Sequence, residues 1–173
     1  AVALNIASIV FMLPLAIGLA ASTRVGNLLG EKRYIDARYS SKISLSLCFI
    51  GALFNMTLLI TLGDKLISLY TKDLLVYSVA SHLIIFAAIF QIPDGIGMGS
   101  LGALRGYKDT FMTMVFIIIA YWVFAIPFGY YLTYYGINQP MGESGMWISM
   151  ILGLTIFASL ISRRLIKISG QYL

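Results

Sequence analysis

The chain has 173 residues, 60% of them hydrophobic and only 11% charged, and its mean hydropathy is +0.90. Charged residues make up about 25% of soluble globular domains, so a soluble fold is excluded. The formal net charge of +5 does not point to nucleic acid, because the basic residues sit in short groups between apolar runs and form no continuous basic face.

Charge-free windows predict five membrane-crossing helices, at about 1–23, 43–63, 76–100, 111–134 and 145–162, each near the ~17–25 residues that a crossing needs. The runs are too long and too continuous for barrel strands of about 9–11 alternating residues. The expected fold class is therefore all-α, a polytopic transmembrane bundle of five helices. Ten basic residues fall on one side of this plan and two on the other. By the excess of Lys and Arg in cytoplasmic loops, the N-terminus lies outside and the C-terminus in the cytoplasm. The chain opens directly in an apolar stretch, with no basic segment and no signal-peptide cleavage motif, which is expected of part of a longer protein. Cys48, the lone cysteine, has no partner here for a disulfide or a thiolate metal site.

The first helix contains Pro14, with Ala16, Gly18 and Ala20 beside it. Small residues let helices approach closely in lipid, and a mid-helix proline removes a backbone hydrogen bond, so this stretch reads either as a packing face or as a hinge at Pro14. Segment 24–42 mixes apolar and basic residues and is expected to lie along the membrane surface or to form a solvated connector. In the second helix Asn55-Met56-Thr57 matches a glycosylation sequon, but inside an apolar run no modifying enzyme reaches it.

The third helix, after Thr71-Lys72-Asp73, holds the most informative feature. From Leu74 to Leu104 there is no Lys, Arg or Glu and one carboxylate, Asp94. A carboxylate at a helix centre in a bilayer costs at least ~2.5–3.5 kcal/mol, and such residues face a protein interior or a water-filled cavity. Asp94 reads as a coupling-cation site or, alternatively, as an acid that is protonated or paired with another helix. His82, Phe86, Phe90 and Asp94 recur every four residues and share one helix face, with Gln91 close to it. Pro93 frees the carbonyl of Ile89 from its helical bond, a second hinge candidate and an extra oxygen for a hard cation such as Na⁺. His82, roughly 18 Å away along an ideal helix, reads as an interfacial residue.

Gly97-Met98-Gly99-Ser100-Leu101-Gly102 fits the dinucleotide pattern G-x-G-x-x-G but lacks both the preceding strand and the acid about 20 residues on. These glycines, with Gly95, are expected to give flexibility or close helix contact. Asp109 is placed to cap the fourth helix. That helix carries Tyr121, Trp122 and Pro127 and ends in Tyr130, Tyr131, Tyr134 and Tyr135, an interfacial belt or the entrance for cationic aromatic solutes. Tyr121 and Tyr130 are accordingly the substrate or cavity candidates. The fifth helix begins near Trp147 and stops at Arg163-Arg164, which are expected to snorkel to the surface. No catalytic constellation and no metal-ligand cluster emerges, so neither an enzyme nor a cofactor is expected.

Three stretches carry a family resemblance. Ala3-Leu4-Asn5 through Phe11-Met12 and Pro14, then Ala20-Ala21-Ser22-Thr23-Arg24-Val25-Gly26-Asn27-Leu28-Leu29-Gly30-Glu31, resembles the eighth helix and following loop of MATE transporters, the multidrug and toxic compound extrusion family. Phe86 through Asp94 is similar to the tenth helix of the bacterial NorM-like branch, and Gly102 through Thr110 to the loop after it. The resemblance implies that residues 1–173 form the C-terminal lobe of a twelve-helix, two-lobe transporter, helices eight to twelve, without the N-terminal lobe and the seventh helix. It implies an inner-membrane antiporter that exports cationic, often aromatic, drugs in exchange for Na⁺ or H⁺, with membrane lipids and the N-terminal lobe as further partners. The branch's cation-site aspartate falls on Asp94 and its companion tyrosine on Phe90. That change removes one hydroxyl and leaves both ions open, while a glutamate of the seventh helix lies outside the chain. Related folds also include flippases of lipid or polysaccharide precursors, whose cavities favour Arg and Lys.

Overall fold

In a computed structural model that describes residues 2–70, 72–136 and 139–172, and side chains from Leu4 onward, every regular element is helical. Ala1, at the start of the first expected span, and Thr71, ahead of the third, lie outside the described residues. The elements are α1 (Val2–Gly30), α2 (Tyr34–Tyr70), α3 (Leu74–Gly106), α4 (Thr110–Ile117), a π-helical segment (Ile118–Ala125), α5 (Ile126–Tyr134) and α6 (Gly142–Gln171). With α4, the π-helical segment and α5 forming one rod, five helices among the described residues are long and apolar enough to cross a membrane.

These helices outrun the apolar windows. At about 1.5 Å per residue, the 37 residues of α2 extend well past a ~30 Å hydrocarbon core. Segment 24–42 is therefore neither a surface-lying helix nor a connector. Residues 24–30 finish α1, 31–33 turn, and 34–42 begin α2. Charge ends the stretch that sits in lipid, whereas backbone hydrogen bonds continue the helix into water. In the turn Arg33 N–H bonds to the Leu28 carbonyl and Lys32 adopts φ 59°; between α3 and α4, Asp109 N–H bonds to the Leu104 carbonyl and Lys108 adopts φ 61°. Both are six-residue closures with a left-handed lysine where glycine is usual.

Asp109 does stand at the N-cap of α4, but its side chain caps nothing there. Its carboxylate instead receives Arg164 Nε at 2.6 Å and a second guanidinium nitrogen at 3.2 Å. This two-pronged pair ties the α3–α4 turn to α6, and it holds Arg164 where snorkelling was expected. The N-cap bond appears at α3, where the Asp73 carboxylate accepts from the Leu75 and Val76 N–H groups.

Helix α3 is the centre of the bundle, packed on α1, α2 and α6. Its glycines do make close helix contact. A Cβ at Gly102 would collide with the Gly18 carbonyl of α1, and one at Gly106 would come within 2.7 Å of Val25. Gly95 and Gly99 meet α2 in the same way, at Cys48 and Ala52 and at Leu45. On α6, Gly145, Ser149 and Gly153 recur every four residues, and Cβ atoms at the two glycines would strike α5 and the π-helical segment. Ser149 also donates to the Ala125 carbonyl. That segment precedes Pro127, which cannot donate a helical N–H; the wider turn is closed by Ile126 N–H to Tyr121 C=O.

Pro14 and Pro93 both lie within continuous helices. Pro14 cannot donate to the Val10 carbonyl, and a side chain from the next helix takes its place: Asn55 Nδ2 of α2 donates to Val10 O at 2.7 Å. The same nitrogen lies 3.4 Å from Gln91 Oε1 of α3. Asn55 and Gln91 are both buried, at 2% and 1% exposure, so one amide joins three helices in a dry interior.

Two substitutions should separate close packing from mere helix propensity. In the membrane-embedded protein, Gly102→Val should cost about 1–3 kcal/mol or more, because Gly18 presents rigid backbone. Gly170→Ala, where nothing lies within 4 Å, should gain up to about 1 kcal/mol. Thermal unfolding in detergent reads both. Asn55→Ala should cost about 1–3 kcal/mol by stranding the Val10 carbonyl. In a Pro14→Ala background that cost should shrink, because the restored N–H at position 14 takes over the carbonyl. Equal costs in the two backgrounds of this double-mutant cycle would refute the pairing.

Candidate functional site

Asp94 opens into a cavity of about 230 Å³ where α1, α3 and α6 meet. Its walls are aromatic: Phe11 from α1, Phe90 from α3 and Trp147 from α6, with Leu4 and Ala7 completing the apolar lining. The polar groups are Asp94, Gln91 and Ser8. Phe90 and Trp147 meet edge to face, ring centroids 6.2 Å apart, and Phe90 packs against both apolar clusters of the bundle. The acid therefore lies between two dry cores, with its opening lined by rings.

The structure brings Asp94, Phe90 and Gln91 together at this cavity. Among the described residues no hydrogen bond or ion pair reaches Asp94, so the alternative of pairing with a polar group on another helix finds no partner here. No cluster of three metal-ligating side chains occurs among the described residues either. Gln91 Oε1 already faces Asn55, and the buried Nε2 has no hydrogen-bond partner among the described residues. Asn55 must direct its N–H groups at Val10, which fixes the Gln91 amide with its oxygen toward α2.

Tyr121, in the π-helical segment, packs on Phe157 with centroids 6.4 Å apart. Like Tyr121, Tyr130 does not line the Asp94 cavity. It is 60% exposed and packs on Tyr134 at 4.7 Å, while Tyr131 stacks on Tyr135 at 5.7 Å, the arrangement of an interfacial belt. His82 is exposed and sits edge-on to Phe86. Pro14 is fully buried. Pro93 faces away from the acid, into a separate groove with Ile92 and Ile96 against α6.

Reading the sequence alone missed Ser8, Phe11, Trp147 and Asn55. Leu4, Ala7, Ser8 and Phe11 repeat with helical spacing, so one polar residue on that face was a signal. Ser8 gives its proton to the Leu4 carbonyl at 2.8 Å, which leaves its oxygen able to accept or ligate. Trp147 had no local signal, since only the tertiary fold brings it beside Phe90.

A cavity of 230 Å³ is smaller than the roughly 300–1,000 Å³ of drug-sized sites. It admits a hydrated ion or one ring of a larger molecule. Two of its oxygen-bearing side chains, Asp94 and Ser8, remain able to ligate, while the third, Gln91, has its oxygen engaged. A proton needs Asp94 alone; Na⁺ would need further oxygens.

The chain is similar to known transport proteins over nearly its whole length. It is 42% identical over 165 residues to the multidrug resistance protein NorM of Vibrio vulnificus, covering 95% of this chain and 36% of that protein. It is 38% identical to a probable multidrug resistance protein NorM of Bacillus cereus, covering 98% and 37%, and 34% identical to the multidrug resistance protein PmpM of Pseudomonas aeruginosa, covering 99% and 36%. The chain thus spans little more than a third of the length of these relatives. In the crystal structure of the eukaryotic MATE transporter AtDTX14 the same fold recurs, with a TM-score of 0.85 at 23% identity over 99% of this chain and 39% of that one. The MatE family model matches residues 1–131, and with these relatives it establishes that the chain belongs to the MatE family.

Proposed function

We propose that residues 1–173 are the C-terminal lobe of a multidrug efflux antiporter, which exports organic cations in exchange for Na⁺ or H⁺. The observation that carries this reading is Asp94: a lone carboxylate midway along a membrane-crossing helix, unpartnered among the described residues, at a cavity walled by three aromatic rings. An acid and ring faces suit an organic cation, and the same acid suits the ion that replaces it. Competition for one carboxylate couples the two fluxes without a catalytic step, as befits a family of transporters rather than enzymes.

In this reading Asp94 binds the coupling ion, Phe90 and Gln91 shape its surroundings, Tyr121 borders the substrate path, and Tyr130 belongs to the membrane belt. Pro14 and Pro93 are the hinge positions. The N-terminal lobe and a seventh helix complete the cavity, and Na⁺ coupling requires them to add oxygens. The basic end of the bundle faces the cytoplasm from the inner membrane, which puts the C-terminus inside. A flippase of anionic precursors fits less well, because the Asp94 cavity has no Arg or Lys among its lining residues.

Efflux of a fluorescent organic cation from vesicles holding the full-length protein tests the reading, with Na⁺ and proton gradients imposed separately. Asp94→Asn should abolish ion-driven efflux while the protein remains in the membrane. Efflux at the wild-type rate would overturn the assignment, and the gradient that drives the wild type names the ion.

A further inference from the structure

On the side of α3 away from Asp94, two cavities meet at Ser162 of α6. The one nearer the basic end measures about 90 Å³ and lies between α2 and α6. Arg38, Ser41 and Lys42 of α2 face Ser162 and Ser169 of α6 across it, with no carboxylate in its lining. The Arg38 Nε is buried without a hydrogen-bond partner, and neither Arg38 nor Lys42 enters an ion pair among the described residues. A buried guanidinium N–H left unpaired is costly, and an oxyanion is the partner that relieves it. By volume the space holds about three waters, or one phosphate group.

The second cavity, about 380 Å³, continues from Ser162 as a groove between α3 and α6. It runs from Ser162 to Thr155, roughly 10 Å along α6, past Pro93 and Ile96 of α3. Thr155 and Ser159 give their hydroxyl protons to the Ile151 and Thr155 carbonyls of their own helix, so the groove presents mainly hydrocarbon. A phosphate-sized basic pocket at the charged end of the apolar stretch, continuing into an apolar groove, has the chemistry of one occupant, a phospholipid.

We propose that Arg38 and Lys42 bind the phosphate of an anionic phospholipid between α2 and α6, with an acyl chain in the groove that passes Pro93. This site is separate from the Asp94 cavity and independent of what the transporter exports. Phosphate oxygens take the Arg38 N–H groups and the Lys42 ammonium, the Ser162 and Ser169 side chains border the headgroup, and the chain lies against Ile96 and Ala158. Arg38 and Lys42 lie one turn apart on α2, so one phosphate can reach both.

Native mass spectrometry of the full-length transporter, titrated with phosphatidylglycerol or phosphatidylcholine of identical chains, reads the proposal. Wild type should retain phosphatidylglycerol well over phosphatidylcholine. Each basic residue near an anionic headgroup contributes about fivefold, so Lys42→Gln, an exposed change that leaves the core intact, should cut the preference about fivefold. Arg38→Gln with Lys42→Gln should abolish it, and Lys32→Gln, at the same end of the bundle but outside the pocket, should leave it unchanged. Equal retention of the two lipids by the wild type would overturn the proposal, as would a preference that survives Lys42→Gln. Inorganic phosphate that displaces phosphatidylglycerol at millimolar concentration would overturn the lipid assignment in favour of a free anion.

Discussion

In hydrocarbon the exclusion of water does not press helices together, because lipid tails are as apolar as leucine. What holds this bundle is how closely backbones approach, and the contact of Gly102 with the Gly18 carbonyl sets that distance for α1 and α3. Gly95 and Gly99 do the same for α2. Because α3 is stripped to glycine on these faces, its bulky and charged side chains are left to the remaining ones. Phe90 and Asp94 reach the cavity as a consequence of that packing, and the acid's exposure follows from the glycines around it.

The same shortage of water makes every backbone carbonyl a constraint. Pro14 leaves Val10 without its helical donor, and Asn55 supplies one from the neighbouring helix. Asn55 in turn orients Gln91, whose oxygen faces α2 and not the cavity. A proline in one helix thereby decides which way the amide of a residue two helices away is turned. The wide turn before Pro127 is another answer to the same problem, met within one rod by lengthening the hydrogen-bonded loop.

The five crossings, their order and the anomaly of Asp94 were legible in the sequence because each depends on a local run of apolar residues interrupted by charge. The glycine contacts were legible in kind, since glycines grouped in an apolar helix let a neighbour approach closely, but not in partner. Helix ends were not, because the signal used marks where lipid stops, and α2 continues well beyond it. Asp109 was misassigned for a related reason. Its position next to Thr110 fits a cap, while the stronger attraction comes from Arg164, 55 residues away and invisible to any local pattern. Ser8 was readable from spacing; Trp147 beside Phe90 was not.

Consecutive residues on α3 point about 100° apart, and Pro93 and Asp94 use that rotation to line two different cavities. The acid meets α1 and Trp147 on one side, and the proline meets the groove along α6 on the other. The turn they share is the one from which proline has already removed a backbone hydrogen bond, so it is the least stiff point of the central helix. A change of fit in either cavity acts on that turn, and the close contacts of Gly95, Gly99, Gly102 and Gly106 hold the helix on its C-terminal side. The two cavities are thus mechanically adjacent although no side chain lines both.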